Sequence, residues 1–244
     1  MPRFFVDKDC IVDGVVTITE PDSRHIARSL RMAVGDDLII SDGEGLDYKC
    51  RLSRIRDEEC LAEVVEVEQS SVESPVKITL FMAMPKGDKL ETVVQKAVEL
   101  GAVRIIPFES ERCIKRPAGD KLEKLATRLS RIATEAAKQC GRAVLPEVVP
   151  MIGFDDMLAR QYEYDLSIFC YEGERKNSLK VVLEGTCGVK TISVIVGCEG
   201  GFSPREAERI VASGATAITL GRRILRCETA PDYVLSALSY YFEL

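Results

Sequence analysis

A single histidine, His25, stands in a chain of 244 residues, and none of the nine cysteines has a partner at C-x-x-C spacing. Zinc needs clustered imidazole and thiolate ligands, and a Ser-His-Asp triad needs a histidine beside its serine, so both chemistries lack parts. No metal site is expected. An odd number of thiols in a chain this long also argues against a disulfide framework and for reduced, mostly buried cysteines. Long apolar runs are missing too: nothing approaches the roughly 18 residues of a membrane span, and the opening "MPRFFVDKDC" has no apolar core of the signal-peptide kind. The expectation is a cytoplasmic protein with no membrane partner. What the chain does have is 46% hydrophobic residues, enough for a sizeable core in one large or two small domains.

The net charge of −6 argues against indiscriminate nucleic-acid binding, yet the charge is unevenly placed. Residues 112–142 carry nine Lys or Arg against three Asp or Glu. In "SRHIARSLRM", Arg24, Arg28 and Arg31 recur at i, i+4 and i+7, the spacing of one helix face, with Ile26 and Leu30 on the other side. Three guanidinium groups displayed together suit phosphate contact better than lysines would. A solvated helix face accounts for either cluster as well.

From residue 1 to about 72 the chain reads as short strands, "RFFV", "VVTIT", "DLIIS", "YKCRLSRI" and "CLAEVVEVE", with the Arg24 helix after the second. That is a small β-barrel pattern, and "SDGEGLD" is a hairpin turn within it. "EQSSVESP" is polar and aperiodic and ends in Pro75, so the linker belongs there. Over residues 73–244 strands and helices alternate: "KITLFMAM", "KLETVVQKAVELG", "VRIIPF", a long basic helix from about Asp120 to Cys140, then "DLSIFCY", "TISVIVG", "AITLG" and a final helix from about Pro231 to Phe242. This alternation predicts an α/β domain with a mainly parallel sheet.

Two glycine-rich turns stand out in the second domain. In "SVIVGCEGGFSPREAERIVASG" a β-branched run leads into Gly197, Gly200 and Gly201, and Ser203, Pro204 and Glu206 then form a capping-box helix start. In "AITLGRRILRCETAPDYVLSAL" Gly221 ends a strand and Thr229 can cap the terminal helix. Strands this close in sequence are expected side by side, and ligands of open α/β sheets bind beyond the carboxyl ends of strands. Neither turn has the spacing of a phosphate-binding loop, and no G-x-G-x-x-G follows an early strand, which disfavours a nicotinamide oxidoreductase.

"IVGCEGGFSPREAERI" followed by "LGRRILRCETA" resembles the paired C-terminal motifs, I-G-P-E-G-G-F-S and L-G-x-R-I-L-R-x-E-T-A, of the bacterial 16S rRNA (uracil-N3) methyltransferases of the SPOUT superfamily. "RHIARSLRMAVGD", "PKGDKLETVVQKAVELGAVRIIPFESERC" and "ATEAAKQCGRAVLPEV" are similar to that family's other blocks, in the same order. The resemblance implies a PUA-like N-terminal barrel for RNA, a trefoil-knotted α/β domain, S-adenosylmethionine as cofactor, 16S rRNA in the 30S subunit as substrate, and a homodimer. It carries the cofactor site onto Val196, Gly197, Glu199, Gly200, Gly201, Leu220, Gly221, Ile224, Leu225 and Arg226, with the strand end Cys170–Glu172 as a weaker candidate of little motif character. RNA contact falls to Arg24, His25, Arg28, Arg31, Arg112, Lys115, Arg116 and Arg142.

Methylation at uracil N3 requires loss of a weakly acidic proton while the methyl donor is held in line. Arg226 is expected to stabilise the developing uracil anion, since arginine does not give up its own proton. Glu228 and Glu199 are the nearby carboxylates, for each of which a structural role, with water taking the proton, is an equal alternative; Glu228 is assigned with Arg226 to catalysis. Cys198 and Cys227 depart from the family pattern, which has proline and threonine there. A catalytically inactive RNA-binding module is the rival reading, and those two departures are its support.

Overall fold

Alternating buried and solvated side chains define the first strands of the computed structural model, which describes all 244 residues: β1 (Arg3–Phe5), β2 (Ile11–Val12), β3 (Val15–Thr19), β4 (Asp37–Ser41), β5 (Leu46–Ile55) and β6 (Glu59–Gln69). They form one sheet in the order β1-β4-β5-β6-β3-β2, antiparallel except for β1 against β4. No ladder joins β1 to β2, so the expected barrel is not closed by backbone pairing. Its core includes Phe4, Ile18, Ile26, Leu38, Ile40 and Leu52. The predicted β4–β5 hairpin is present, with Asp42 accepting hydrogen bonds from the Glu44 and Leu46 amides across the turn.

The helix after β3 differs from the sequence reading. One α turn, α1 (Asp22–Arg24), opens at His25–Ser29 into a wider π turn in which the Leu30 amide donates to the His25 carbonyl. Residues per turn increase there, and Arg31, at φ +52°, has left the helix altogether. The i, i+4, i+7 face of Arg24, Arg28 and Arg31 therefore does not form. Ile26 is buried as expected, but Leu30 is exposed.

The chain divides into two compact units, Met1–Glu73 with Ala137–Leu145, and Ser74–Ala136 with Pro146–Leu244. The returning stretch of the first unit is fixed by charge. Arg142 is 5% exposed and its Nη2 lies 2.7 Å from Glu73 Oε2, while Glu73 Oε1 accepts from the Ala143 and Val144 amides. Breaking such a buried, fully hydrogen-bonded pair by removing one partner costs about 3–5 kcal/mol.

The second unit is an all-parallel sheet of β7 (Lys77–Ala83), β8 (Ala102–Phe108), β9 (Glu147–Val148), β10 (Leu166–Cys170), β11 (Thr191–Val196) and β12 (Thr216–Ile218). Its central strands are buried along nearly their whole length, as expected where helices cover both faces, with Thr79, Ser167 and Ser193 among the buried residues. The connecting helices are α2 (Lys89–Glu99), α3 (Asp120–Cys140), α4 (Phe154–Ala159), α5 (Leu179–Glu184), α6 (Pro204–Ala212) and α7 (Thr229–Glu243). The strand order is β12-β10-β11-β7-β8-β9. Contrary to the sequence expectation, β11 and β12 are not neighbours: β10 lies between them and pairs with both. No helix is long and apolar enough to cross a membrane, and no group of His, Cys, Asp and Glu is placed to hold a metal ion.

Candidate functional site

Because β10 separates β11 from β12, three strand ends rather than two open on one cavity of about 510 Å³. The turn after β11 contributes Val196 to Gly201, the turn after β12 contributes Thr219 to Gly221 and Arg223 to Cys227, and the end of β10 contributes Cys170, Tyr171, Glu172 and Arg175. All ten residues assigned to the cofactor from sequence line this cavity. The β10 segment, ranked low for want of a motif, occupies the middle of it.

The first turn is shaped by what its glycines leave out. A Cβ on Gly197 would stand 2.9 Å from the Phe202 ring and 3.2 Å from the Gly201 Cα, and one on Gly201, at φ +62°, would run into the Glu172 carboxylate. Side chains at either position would close the backbone approach to the cavity. Beyond the turn, α6 begins as predicted. Ser203 Oγ accepts from the Glu206 amide, Glu206 Oε2 accepts from the Ser203 amide, and Pro204 takes the first helical position. Arg112 closes the turn from outside, donating to the Gly200 carbonyl at 2.7 Å.

Lys89, in the first turn of α2, is the residue the sequence reading passed over. Its Nζ lies 3.0 Å from Glu199 Oε1 and 3.2 Å from Glu228 Oε2, so one ammonium group ties the two motif turns together. The hydrogen bonds that Lys89 donates to these carboxylates hold the lysine above its ordinary value. Glu228 is kept below the ordinary carboxylate range, first by the Cys227 thiol that donates to it at 3.1 Å and also by Lys89. Burial pushes Glu199 up, but its own amide, Lys89 and the Lys86 amide outweigh burial and hold it low. Both carboxylates are thus fixed anions. A signal for Lys89 did exist: a cation in the first turn meets the positive end of the helix dipole and needs a compensating partner.

Glu228 does not line the cavity; it faces Lys89 and precedes the terminal helix, which starts at Thr229 itself. Arg226 lines the cavity, exposed, with no side-chain partner. The two unusual cysteines are both buried and both engaged. Burial and the Glu228 hydrogen bond raise Cys227 to about 12. Cys198 lies against Cys113, whose thiol donates to it, so that Cys113 is held up and Cys198 down.

The residues assigned to RNA are scattered and mostly engaged. Arg24 pairs with Glu20, Arg28 with Asp57, and Arg116 with Glu109, while Lys115 donates to the Gly87 carbonyl. His25 and Arg31 are exposed. Arg142 is corrected outright: buried against Glu73, it offers no charge to a solvated partner.

Comparison with known proteins gives a consistent result. A model described as an RNA methyltransferase domain matches residues 72–239, and one described as an RNA methyltransferase PUA domain matches residues 18–65. The chain is 34% identical to the ribosomal RNA small subunit methyltransferase E of Bacillus subtilis, covering all of this chain and 98% of that one. Identity to the Synechocystis protein of the same name is 30%, over 99% of this chain and 78% of the relative. Among solved structures, the Neisseria gonorrhoeae methyltransferase E bound to S-adenosyl methionine superposes with a TM-score of 0.86 at 32% identity, over 98% and 97% of the two chains. A Legionella pneumophila putative methyltransferase in complex with bound SAM gives 0.87 at 27% identity, over 98% and 96%.

Proposed function

The chain belongs to the RNA methyltransferase family that contains the ribosomal small subunit methyltransferases E, and from that premise we propose that it methylates N3 of a uridine in 16S rRNA with S-adenosylmethionine as donor. One observation carries the reading. The ten residues that the family motifs assign to the cofactor fall around one cavity, of a size suited to a ligand of this class. The residues fit the group chemically as well: glycine turns that admit close backbone approach, the aliphatic pair Ile224 and Leu225 for an aromatic base, and no phosphate-binding loop.

The bound donor supplies an electrophilic methyl group on a sulfonium centre. The chain does the rest by positioning and by charge. Arg226, unpaired and facing the cavity, offers its guanidinium to the negative charge that develops on the uracil as its N3 proton leaves. Glu199 and Glu228 act through Lys89 to fix the two turns, and neither is free to serve as a base, so the proton passes to water. N3 lies on the pairing edge, and the target nucleotide is therefore extruded from any helix before reaction. Both unusual thiols are hydrogen-bonded in place, which favours ordered cofactor turns over an inactive module.

The same reading includes a trefoil knot in the second unit, a PUA-like RNA-binding unit over about residues 1–72, a cytoplasmic location and a homodimer. The dimer is supported by three exposed tyrosines on α7, Tyr233, Tyr240 and Tyr241. Light scattering should give twice the 27.0 kDa chain mass.

Purified protein, S-adenosylmethionine and unmodified 30S subunits test the activity. Methyl transfer should produce a single reverse-transcription stop at a uridine, because N3-methylation blocks pairing. No transfer, or transfer to a position that leaves pairing intact, overturns it.

A further inference from the structure

Ten of the twenty arginines of this protein are neutralised by an acidic partner: Arg3 by Asp47, Arg51 by Asp37, Arg54 by Glu59, Arg104 by Glu147, Arg128 by Glu91 and Arg209 by Asp155, besides Arg24, Arg28, Arg116 and Arg142. Four that are not stand together. Arg175, Arg223 and Arg226 line the cavity, Arg222 stands between the lining residues Gly221 and Arg223, and all four are exposed without an ion pair or side-chain hydrogen bond. Gathering uncompensated like charges raises self-repulsion, so the arrangement favours a partner that supplies negative charge.

The cofactor cannot be that partner for all four. A sulfonium amino acid brings one carboxylate and two cationic centres, enough to occupy one arginine. The carboxylates lining the cavity do not balance the group either, since Glu199 is committed to Lys89 and only Glu172 remains. The Arg175 loop is also built rather than loose. Glu174 Oε1 accepts the amides of Arg175, Lys176 and Asn177, and Asn177 Nδ2 donates to the Ala217 carbonyl at 3.0 Å, tying the loop to β12. Those backbone bonds hold the Glu174 carboxyl below its usual range.

We propose that Arg175, Arg222 and Arg223, on the rim of the cofactor cavity, bind the phosphates of the single-stranded RNA that flanks the target nucleotide. The proposal rests on the methyltransferase reading and assigns its substrate grip to the second unit rather than to Arg24 and Arg28, whose charge Glu20 and Asp57 already cancel. Guanidinium forks suit phosphate oxygens, and a nucleotide drawn into the cavity brings its neighbouring phosphates to the rim.

The experiment compares the full-length protein with the Arg175→Ala/Arg222→Ala double variant and, as a control, Arg24→Ala/Arg28→Ala. Fluorescence anisotropy of a labelled polyuridylate 12-mer and binding to unmodified 30S subunits are followed against salt, with calorimetry for S-adenosylmethionine. Each phosphate contact on single-stranded RNA contributes about 0.7 to the slope of log affinity against log salt, so the double variant should lose about 1.4. Its cofactor affinity and melting temperature should stay at wild-type values, and the control should keep the wild-type slope. Wild-type salt slopes in the double variant overturn the proposal. So does a drop in cofactor affinity with the RNA slope unchanged, which assigns these arginines to the cofactor carboxylate. If the wild-type protein transfers no methyl group to 30S subunits, the functional reading fails, and the polyuridylate arm still decides the rim.

Discussion

Glu228 illustrates how one contact decides a residue's chemistry. A carboxylate can accept the uracil proton only if it reaches the cavity, and this one lies outside the lining, held by Cys227 and Lys89. A depressed carboxylate stabilises the fold above its ordinary value of 4.5 and loses that contribution as pH falls through its folded value. A raised lysine contributes fully below its ordinary value of 10.5 and loses it as pH rises through the folded one. The bridge is therefore intact from about pH 5 to pH 10 and titrates nowhere between. Glu228→Gln should lower activity by loosening the turns yet leave every inflection of the kcat–pH profile in place; the disappearance of an inflection between pH 5 and 9 restores the carboxylate as a base. Arg226 behaves oppositely, since its charge is uncommitted. Arg226→Ala should nearly abolish methyl transfer in single-turnover assays with the fold unchanged, because it acts on charge present only in the transition state. Turnover within about threefold of wild type, roughly 0.65 kcal/mol, removes that role.

Among elements, the turn after β11 is the most constrained. Gly201→Ala forces a side chain into a left-handed conformation and against Glu172, a strain of about 1–3 kcal/mol. The variant should melt lower in calorimetry and bind S-adenosylmethionine several-fold more weakly; wild-type values in both would mean that Glu172 swings aside freely. This turn is legible in the sequence because its grammar is local: β-branched residues, then glycines, then Ser203, Pro204 and Glu206 in capping order. Long α3 is legible for the same reason, from its own periodicity. The end of β10 is not, since nothing in Cys170 to Glu172 sets it apart and its place in the cavity comes from parallel pairing with strands far along the chain. The Arg24 helix misleads in the opposite way. Its spacing predicts a regular helix, but burying Ile26 and bonding Ser23 Oγ to the Asp57 carbonyl accompany a widened turn that spacing cannot anticipate.

Across the whole molecule, cofactor choice is the broadest test. A ligand that binds only the folded state at a hundred times its Kd stabilises by about 2.7 kcal/mol, which for a chain of this size raises Tm by roughly 5–10 °C. S-adenosylmethionine should give such a shift and NAD none; a shift with NAD alone means that the glycine turns serve a dinucleotide.

The stretch from Ala137 to Leu145, which joins the first unit and buries Arg142 against Glu73, has a consequence for how the protein is made. A ribosome that has released residue 73 has not yet supplied the cation that Glu73 requires. At about 5–20 residues per second, synthesis of the intervening chain takes roughly 4–15 s. Throughout that interval the nascent first unit holds an uncompensated carboxylate and lacks its closing segment. The unit that begins the polypeptide is thus completed only after residues 74–136 of the second have been made.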